Sequence, residues 1–267
     1  MRSGLFLSRL IYATFIFLCC LQPINAGKPE PREKGIWCKR QAKHQLTDEH
    51  EKLIVTSLRR ITGLQQLEFS SSGALSLGES SPESKGSLTA RNILHQVLDS
   101  GSEIIIEDHT NSPFVNFGQL DEGTHYEDGA NHKKFLIWRV RIDFDDFRNM
   151  QASPEIQETF DPGIAVLHEF LHSVGHKDPT TFGEMGECEE IINQVRTELG
   201  MPLRDRYHGV PLIQMNSQAV IVRMKFREQL IARVTKIASP PRWKIHYLHF
   251  VMSMTDETSS ALVGLRK

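Results

Sequence analysis

The stretch from Asp161 to Gly175, which reads DPGIAVLHEFLHSVG, restricts the fold more than any other part of the sequence. Asp161 is a good helix N-cap, Pro162 fits the first helical position, and Gly175 suits the left-handed residue that follows a helix. At roughly 100° per residue, the apolar residues between them form one stripe along the helix. These residues are Ile164, Leu167, Phe170, Leu171 and Val174. The sequence therefore predicts an amphipathic helix that buries one side in a core.

Two histidines and a glutamate lie at the edge of that stripe. His168 and His172 are one turn apart, so both imidazoles can bind one ion, and neutral imidazole suits zinc. Glu169 lies next to His168, where its carboxylate can take a proton from a water that attacks a carbonyl and then deliver it to the leaving amine. Zinc adds Lewis acidity and lowers the pKa of water towards ~7. We therefore predict a Zn2+ site with His168 and His172 as ligands and Glu169 as the catalytic residue.

The same spacing would also fit two histidines on the outer surface of an ordinary amphipathic helix. In a chain of 267 residues with 12 histidines, His-Glu-x-x-His is expected somewhere by chance with a probability of roughly 4%. The cap and the stop at the two ends of the helix reduce that probability further. The pattern therefore favours a metal site.

A third protein ligand is needed to complete the site, and the residues after the helix offer alternatives. If the helix continued, His176 would lie about 12 Å along the axis from His168, too far to share an ion. His176 could contribute only if the chain turns at Gly175. Asp178 is better spaced, six residues after the second histidine, although it could instead cap the next turn ahead of Pro179. On spacing, Asp178 is the favoured third ligand.

The segment HEFLHSVGHKD resembles the metzincin pattern His-Glu-x-x-His-x-x-Gly-x-x-His/Asp, and its final aspartate resembles the snapalysin variant of that pattern. In metzincins the glycine turns the chain back so that the last residue meets the metal. The resemblance therefore implies a zincin metallopeptidase in which Asp178 is the third ligand. It also implies that Met185 occupies the place of the methionine turn.

Residues 183–207, GEMGECEEIINQVRTELGMPLRDRY, resemble a second group, the NleD-like effector metallopeptidases and the related toxins at the ends of Rhs proteins. Those proteins carry a His-Glu-x-x-His helix and then Asn-x-x-Arg-x-Glu-x-Gly-x-Pro-x-Arg-x-x-Tyr. The pattern is filled here by Asn193, Arg196, Glu198, Gly200, Pro202, Arg204 and Tyr207. The resemblance implies an exported effector or toxin whose third ligand is a glutamate on the following helix, with Glu184 and Glu187 as candidates.

Tyr207 has two interpretations. A phenol near the metal could donate a hydrogen bond to the oxyanion that forms when a carbonyl is attacked. The alternative is an aromatic side chain that only packs against its neighbours. His208 follows it and is open to the same two interpretations.

The first 26 residues differ in kind from the rest of the chain. A basic start, an apolar run over residues 10–21 and a small residue, Ala26, are typical of a secretory signal peptide over residues 1–26. The apolar run is shorter than the ~20 residues of a membrane span, so we expect no stable membrane span after signal removal. This predicts bacterial export and a secreted or periplasmic protein, with an uncleaved anchor as the alternative. Residues 27–46 are predicted to form a loose polar leader.

Removal of the signal would leave two cysteines, Cys38 and Cys188. In an oxidising compartment they could form one disulfide, and two unpaired thiols are equally compatible with their separation in sequence. They lie outside any C-x-x-C spacing, which disfavours a thiolate zinc site. The state of the two cysteines therefore stays open at this point.

Residues 47–267 are predicted to form one α+β domain, a zincin-like metallopeptidase domain with a mixed sheet around the active-site helix. Phe135–Phe144 alternates apolar and charged residues, which indicates a strand, either an interior one or an edge along which a peptide could lie. Strand-rich runs in residues 218–267 suggest a small β-rich C-terminal subdomain. In residues 109–132, a solvated loop is favoured over a second metal site.

The net charge and the isoelectric point bear on which classes of partner the sequence supports. The net charge of -2 and the isoelectric point near 6.6 give no reason to expect nucleic acid. We therefore predict a zinc-dependent endopeptidase, a hydrolase acting on a protein or peptide substrate. The alternative is a non-catalytic exported module in which the same helix holds a structural zinc that protein ligands close off from water.

Overall fold

Helices and strands interleave along the chain. The computed structural model describes residues 34–38, 43–78, 85–121, 123–127, 134–216, 219–230 and 242–253, all of which belong to the unit Lys34–Lys267. The strands are β1 (Gly35–Trp37), β2 (Glu68–Phe69), β3 (Leu75–Ser76), β4 (Glu103–Asp108), β5 (Gly118–Leu120), β6 (Thr124–Glu127), β7 (Lys134–Ile142), β8 (Leu203–Arg204), β9 (Val210–Asn216), β10 (Ala219–Leu230) and β11 (Arg242–Ser253). The helices are α1 (Asp48–Thr62), α2 (Leu88–Asp99), α3 (Phe144–Asn149), α4 (Pro154–Thr159), α5 (Pro162–Ser173) and α6 (Glu187–Glu198).

Two larger sheets flank helix α5 in sequence. The first is mixed and has the order β1-β4-β7-β5, with β6 also paired to β7. In it β1, β4 and β7 are parallel, whereas β5 and β6 run antiparallel to β7. The second sheet is antiparallel, with the order β11-β10-β8 and with β9 paired to β10. The predicted α+β class with a mixed sheet is confirmed.

Side-chain caps fix the starts of α1 and α5. Thr47 accepts a hydrogen bond from the backbone N–H of His50, and Asp161 accepts one from the backbone N–H of Ile164. After α5, Gly175 takes a left-handed conformation with φ of 101°. The predicted helix is therefore present, with its cap and its stop where the sequence places them.

Two clusters of apolar side chains hold the elements together. The larger cluster lies between the mixed sheet and helices α1, α2, α5 and α6. It buries the predicted stripe of α5, namely Ile164, Leu167, Phe170 and Leu171, with Val174 packed against it. The second cluster joins β10 and β11 to Met150, Ile156 and Phe160. Strands of the predicted C-terminal subdomain therefore share a core with residues upstream of α5.

Strand β7 is an interior strand. It pairs with β4 along one side and with β5 and β6 along the other. Both backbone edges are thus occupied, because parallel β4 and the two antiparallel strands take its hydrogen-bonding groups. The hypothesis that Phe135–Phe144 forms an edge for a peptide is wrong, and the interior alternative is confirmed.

The described residues cover only part of the predicted N-terminal segments. The signal segment 1–26 lies outside the described residues. Within the predicted leader 27–46, Gly35–Trp37 form β1, and Ile36 is buried, so these residues are not loose. These residues pair in parallel with β4 and so belong to the mixed sheet. Among the described helices, each is too short or too polar to cross a membrane.

Cys38 and Cys188 are both buried, and no disulfide joins them. Cys38 packs in the larger core cluster and Cys188 lies on α6. Of the two alternatives that the sequence leaves open, the structure shows the one without a disulfide between these residues. Cys38 directly follows β1 and Cys188 lies on α6, and both are buried by packing, as is common for cysteine.

Candidate metal centre

Helix α5 presents His168 and His172 on one edge, as the spacing predicts. Their ring centroids are 5.0 Å apart. The side chain of His168 is 11% exposed and that of His172 is 20% exposed, so both rings are largely withdrawn from water. The apolar stripe beside them is buried in the core, which fixes the rotation of the helix and hence the direction of both rings.

The carboxylate of Asp178 lies between the two imidazoles. Its Oδ1 is 3.2 Å from Nε2 of His168, and its Oδ2 is 3.1 Å from Nε2 of His172. Donor atoms bound to a tetrahedral zinc ion at ~2.0–2.2 Å lie about 3.3–3.6 Å from one another. Oδ1 of Asp178 is also buried and makes no hydrogen bond within the described residues. Three donor atoms therefore converge as metal ligands do, and the residues fit an ion.

The far side of each imidazole faces an acceptor. Nδ1 of His172 is 3.0 Å from the backbone carbonyl oxygen of His176. A carbonyl can only accept, so Nδ1–H donates to it and Nε2 remains for the metal. Nδ1 of His168 is 3.6 Å from the carboxylate of Glu189, which favours the same tautomer. The protein thus orients both rings with their Nε2 atoms towards Asp178.

Without a metal, a proton links His172 and Asp178. Burial by itself would lower the pKa of His172, but hydrogen bonding and charge from Asp178 raise it to about 11. Burial alone would raise the pKa of Asp178, but the two imidazoles and the hydroxyl of Tyr207 lower it. A cation bound here would replace that proton, because metal ligands bind in their deprotonated forms.

Glu169 places its carboxylate between the helix and strand β5. The residue is buried, and burial raises the pKa of this carboxyl above its ordinary range. The backbone N–H of Leu120 donates to it. A Cβ on Gly118 would lie 3.3 Å from Oε1 of Glu169, so the glycine leaves room for the carboxylate. Glu169 is therefore held in place without bonding to either histidine.

Tyr207 reaches the candidate metal centre. Its hydroxyl donates a hydrogen bond to Oδ2 of Asp178, and its ring stacks on that of His168 with centroids 5.8 Å apart. Burial raises the pKa of the phenol, so it stays a neutral donor. The phenol contacts Asp178 and His168 directly.

A buried ion network lies behind His168. The carboxylate of Glu189 forms ion pairs with Arg196 and with Arg204, the latter at 2.9 Å. The side chain of Asn193 accepts from the backbone N–H of Arg204 at 2.9 Å and donates to its carbonyl at 2.9 Å. Arg204 in turn donates to the backbone carbonyl of Tyr207. Residues of the Asn-x-x-Arg pattern therefore form the support of the site.

Two further residues of that pattern have local roles. Glu198 accepts hydrogen bonds from the backbone N–H of Thr89 at 3.0 Å and from the hydroxyl of Ser87 at the start of α2. Gly200 follows α6 with a left-handed φ of 69°. Both residues fix how α6 joins the rest of the molecule.

The structure brings together His168, Glu169, His172 and Asp178, with Tyr207 against Asp178, and leaves other candidate residues apart. The ring of His176 faces the carboxylate of Glu187, 3.5 Å away. Sδ of Met185 is 3.7 Å from the amide nitrogen of Asn193. Among the described residues, the acidic, histidine and cysteine side chains that could together hold a metal ion are those of His168, His172, Asp178 and Cys188.

Sequence reasoning missed Glu189 and Cys188. Glu189 is seven residues from Arg196, two turns along the same face of α6, and this spacing was the available signal. Sγ of Cys188 is 3.5 Å from Nδ1 of His172, on the side of the ring that faces away from Asp178. No sequence pattern indicates that contact, because it depends on how α6 packs against α5.

Two pockets meet at Glu169. One, of about 300 Å³, is bounded by apolar side chains of β10 and β11, by Phe160 directly after α4 and by His168. The other, of about 460 Å³, is more open to solvent, and His172 and Asp178 are among the residues that line it. Gly118, Glu169 and Tyr207 border both. A molecule lying across Glu169 could thus reach into either pocket.

Comparison with models of protein families, with curated proteins and with solved structures finds no match to this chain.

Proposed function

We propose that the chain is a zinc-dependent endopeptidase with a zincin-like fold that hydrolyses peptide bonds of a protein substrate. The observation that carries this proposal is the convergence of Nε2 of His168, Nε2 of His172 and the carboxylate of Asp178, with the carboxylate of Glu169 beside them at the junction of two pockets. A surface pair of histidines would require neither the convergent aspartate nor the buried glutamate.

His168, His172 and Asp178 would hold the ion. Two neutral imidazoles and one carboxylate are a donor set that zinc accepts in catalytic sites, where three protein ligands leave a position open. When bound there, zinc supplies Lewis acidity and lowers the pKa of water. The exposed side of His172 and Asp178 in the open pocket supports access for water and substrate.

Glu169 moves the proton. Its carboxylate takes a proton from the attacking water and passes it to the nitrogen of the leaving amine. Burial raises its pKa, so the group holds the proton between these two steps more readily than an exposed glutamate would. The backbone N–H of Leu120 and the space above Gly118 keep the carboxylate in one orientation.

Tyr207 orients the aspartate and serves as a donor. In this structure its hydroxyl bonds to Oδ2 of Asp178. A neutral phenol in this position can also donate to the carbonyl oxygen that gains charge during attack. The stacked ring of His168 limits its movement.

The N-terminal segment supports export, so we assign the activity to the periplasm or the medium, as expected for an effector or toxin. The substrate is a protein or peptide.

A peptide library and metal analysis test the proposal. Purified protein should contain zinc by elemental mass spectrometry and cleave members of the library. Glu169→Gln should keep its zinc and lose about 10²–10⁴-fold in rate, the usual contribution of general acid–base catalysis. Zinc-loaded protein that cleaves nothing, or equal cleavage by Glu169→Gln, would contradict it.

Cys188 favours a second candidate, a structural zinc site in a non-catalytic exported module. Its buried sulfur and one donor atom from each of His168, His172 and Asp178 lie within 4.8 Å of one another. Four protein ligands would close the ion off from water. In that case Cys188→Ser should lose zinc and chelation should unfold the protein. In the peptidase, Cys188→Ser should retain zinc, since the sulfur faces Nδ1 of His172.

A further inference from the structure

The backbone just before β5 is held in a conformation that its side chain disfavours. Within the described part of the chain, two non-glycine residues have a positive φ, Asn111 at 64° and Phe117 at 61°. A bulky residue adopts this left-handed conformation reluctantly, because its Cβ comes close to the following carbonyl oxygen. Phe117 immediately precedes Gly118, the first residue of β5. The surrounding structure must therefore hold Phe117 in place.

The first turn of α3 provides the contacts that hold it. The backbone N–H of Phe117 donates to Oδ2 of Asp146 at 2.8 Å, and its carbonyl accepts from the backbone N–H of Asp143 at 3.0 Å. The carboxylate of Asp143 in turn accepts from the backbone N–H groups of Asn111 and Ser112. Two carboxylates at the start of α3 thus bind the backbone at both left-handed residues.

The carboxyl of Asp146 is half-buried and serves no ligand of the candidate metal centre. Burial raises its pKa to about 6, the bond from Phe117 opposes this rise, and the charges of Asp143 and Asp145 add to it. The group is therefore ionised at neutral pH. A hydrogen bond from a backbone N–H to a carboxylate is stronger than one to a neutral acceptor, so the contact with Phe117 is a firm one.

The side chain of Phe117 fixes the same turn from the other side. Its ring is 4% exposed and packs edge to face against Phe147, Phe160 and Phe250, with ring centroids 5.0, 4.8 and 4.7 Å away. If the backbone relaxed to a negative φ, either this ring would leave the second core cluster or Gly118 would move. The bond to Asp146 lets the ring and the following strand keep their places together.

Strand β5 is short and lies against Glu169. Its three residues pair with β7, and the N–H of Leu120 donates to the carboxylate of Glu169. Gly118 is so close that an added Cβ would lie 3.3 Å from Oε1 of Glu169. Because only three residues pair, the position of β5 depends strongly on the turn that precedes it.

We infer that Asp146 is a positioning residue for Glu169: by holding Phe117 in the left-handed conformation, it sets β5 against the carboxylate that moves the proton. Loss of the acceptor lets the turn relax and moves the N–H of Leu120 away from Glu169. The catalytic consequence of this inference rests on the proposed function, whereas the contact between β5 and Glu169 does not.

Amide hydrogen exchange, followed by NMR on the isotope-labelled, metal-free protein, tests the positioning without catalysis. In Asp146→Ala the amide of Leu120 should exchange at least about tenfold faster, since losing a hydrogen bond to a charged group is worth that much. Asp146→Asn keeps a neutral acceptor and should give a smaller increase. The amide of Ile104, on a strand that is paired on both sides, reports any general loss of stability.

Two further variants calibrate the measurement. Glu169→Ala gives the exchange rate of a Leu120 amide that has lost its acceptor. Asp145→Ala is the matched control, since Asp145 lies on the same helical turn and pairs with Arg148, and the exchange of Leu120 should not change in it.

Two results would overturn the inference. One is an unchanged exchange rate of Leu120 in Asp146→Ala, which would mean that pairing with β7 alone positions β5. The other is an equal acceleration of Leu120 and Ile104, which would mean that Asp146 contributes only to general stability. If Asp146→Ala does not fold, Asp146→Asn decides by the same comparison.

Kinetics separate this inference from the proposed function. Asp146→Ala should keep its zinc and lose about tenfold or more in kcat, because a misplaced general base loses rate while the metal ligands are untouched. In Glu169→Gln the same change should have no further effect, since it acts through Glu169. An equal loss in both backgrounds would refute the positioning and leave the peptidase intact. Faster exchange of Leu120 as expected, with no cleavage of any peptide, would refute the peptidase and leave the positioning intact.

Discussion

Asp178 connects three side chains of the candidate metal centre, His168 and His172 of α5 and Tyr207, which follows β8. One of its oxygens faces His168, and the other faces His172 and accepts from Tyr207. The residue lies in a loop, yet its side chain is only 28% exposed. Its position depends on the left-handed turn at Gly175, which follows the helix directly.

Asp178→Asn is expected to weaken metal binding. The amide keeps the shape but removes the negative charge that pairs with a cation, so affinity should fall by more than the 10–100-fold typical of losing an outer-shell partner. Competition with a fluorescent zinc chelator measures the zinc affinity of the variant and of the unmodified protein.

Glu184→Gln and Glu187→Gln are the matched controls, because both residues are candidates from sequence and both are exposed in the structure. Their zinc affinity should equal that of the unmodified protein. A large loss in either control, with Asp178→Asn unaffected, would move the third ligand to the glutamate.

Helix α5 is the element on which the site depends, and its first turn ties it to α1. Asp161 caps α5, accepts from the hydroxyl of Ser57 and pairs with Arg60 at 2.7 Å. Gly163 allows the close approach, since a Cβ there would lie 2.2 Å from Oγ of Ser57. The metal ligands on α5 are thus positioned partly by contacts at its opposite end.

Asp161→Ala should lower the free energy of unfolding by about 1–2 kcal/mol, the usual cost of losing an N-cap. Urea denaturation measures it. Ser153→Ala is the control at the start of α4, where the side chain makes no capping hydrogen bond, and it should stay within about 0.5 kcal/mol. Similar losses in both variants would mean that the capping bond of Asp161 contributes nothing.

At the scale of the whole molecule, the buried ion network of Glu189, Arg196 and Arg204 joins elements that are far apart in sequence. Through Arg196 and Arg204 it connects α6 and β8 with the end of α4, where Arg196 donates to the carbonyl of Thr159. Burial alone would raise the pKa of Glu189, but the two arginines lower it to about 2. The folded protein therefore binds this proton more weakly than the unfolded chain, whose value is near 4.5.

This shift predicts acid sensitivity. A depressed carboxyl pKa stabilises the fold fully above the unfolded value and less as the pH falls from about 4.5 towards 2. Glu189→Gln should cost about 3–5 kcal/mol at neutral pH, since it leaves two buried arginines without their partner. Its stability should also fall less steeply over that acid range, as measured by urea denaturation at a series of pH values.

Glu190→Gln, at the exposed neighbouring position, is the control and should follow the unmodified protein throughout. Equal acid profiles for Glu189→Gln and the unmodified protein would show that the network does not determine acid stability.

The sequence by itself determined helix α5 and the juxtaposition of His168, Glu169 and His172. Both features depend on interactions between residues close in sequence, because a helix cap, a helix stop and a spacing of one turn each involve only a few neighbouring residues. The mixed α+β class followed similarly from strand and helix periodicity. Only the tertiary structure decided that Asp178 faces both imidazoles, that Glu187 faces His176 instead, and that the two cysteines stay apart. Such contacts depend on how α5, α6 and the loops pack across long sequence separations, where many arrangements are compatible with the same local pattern.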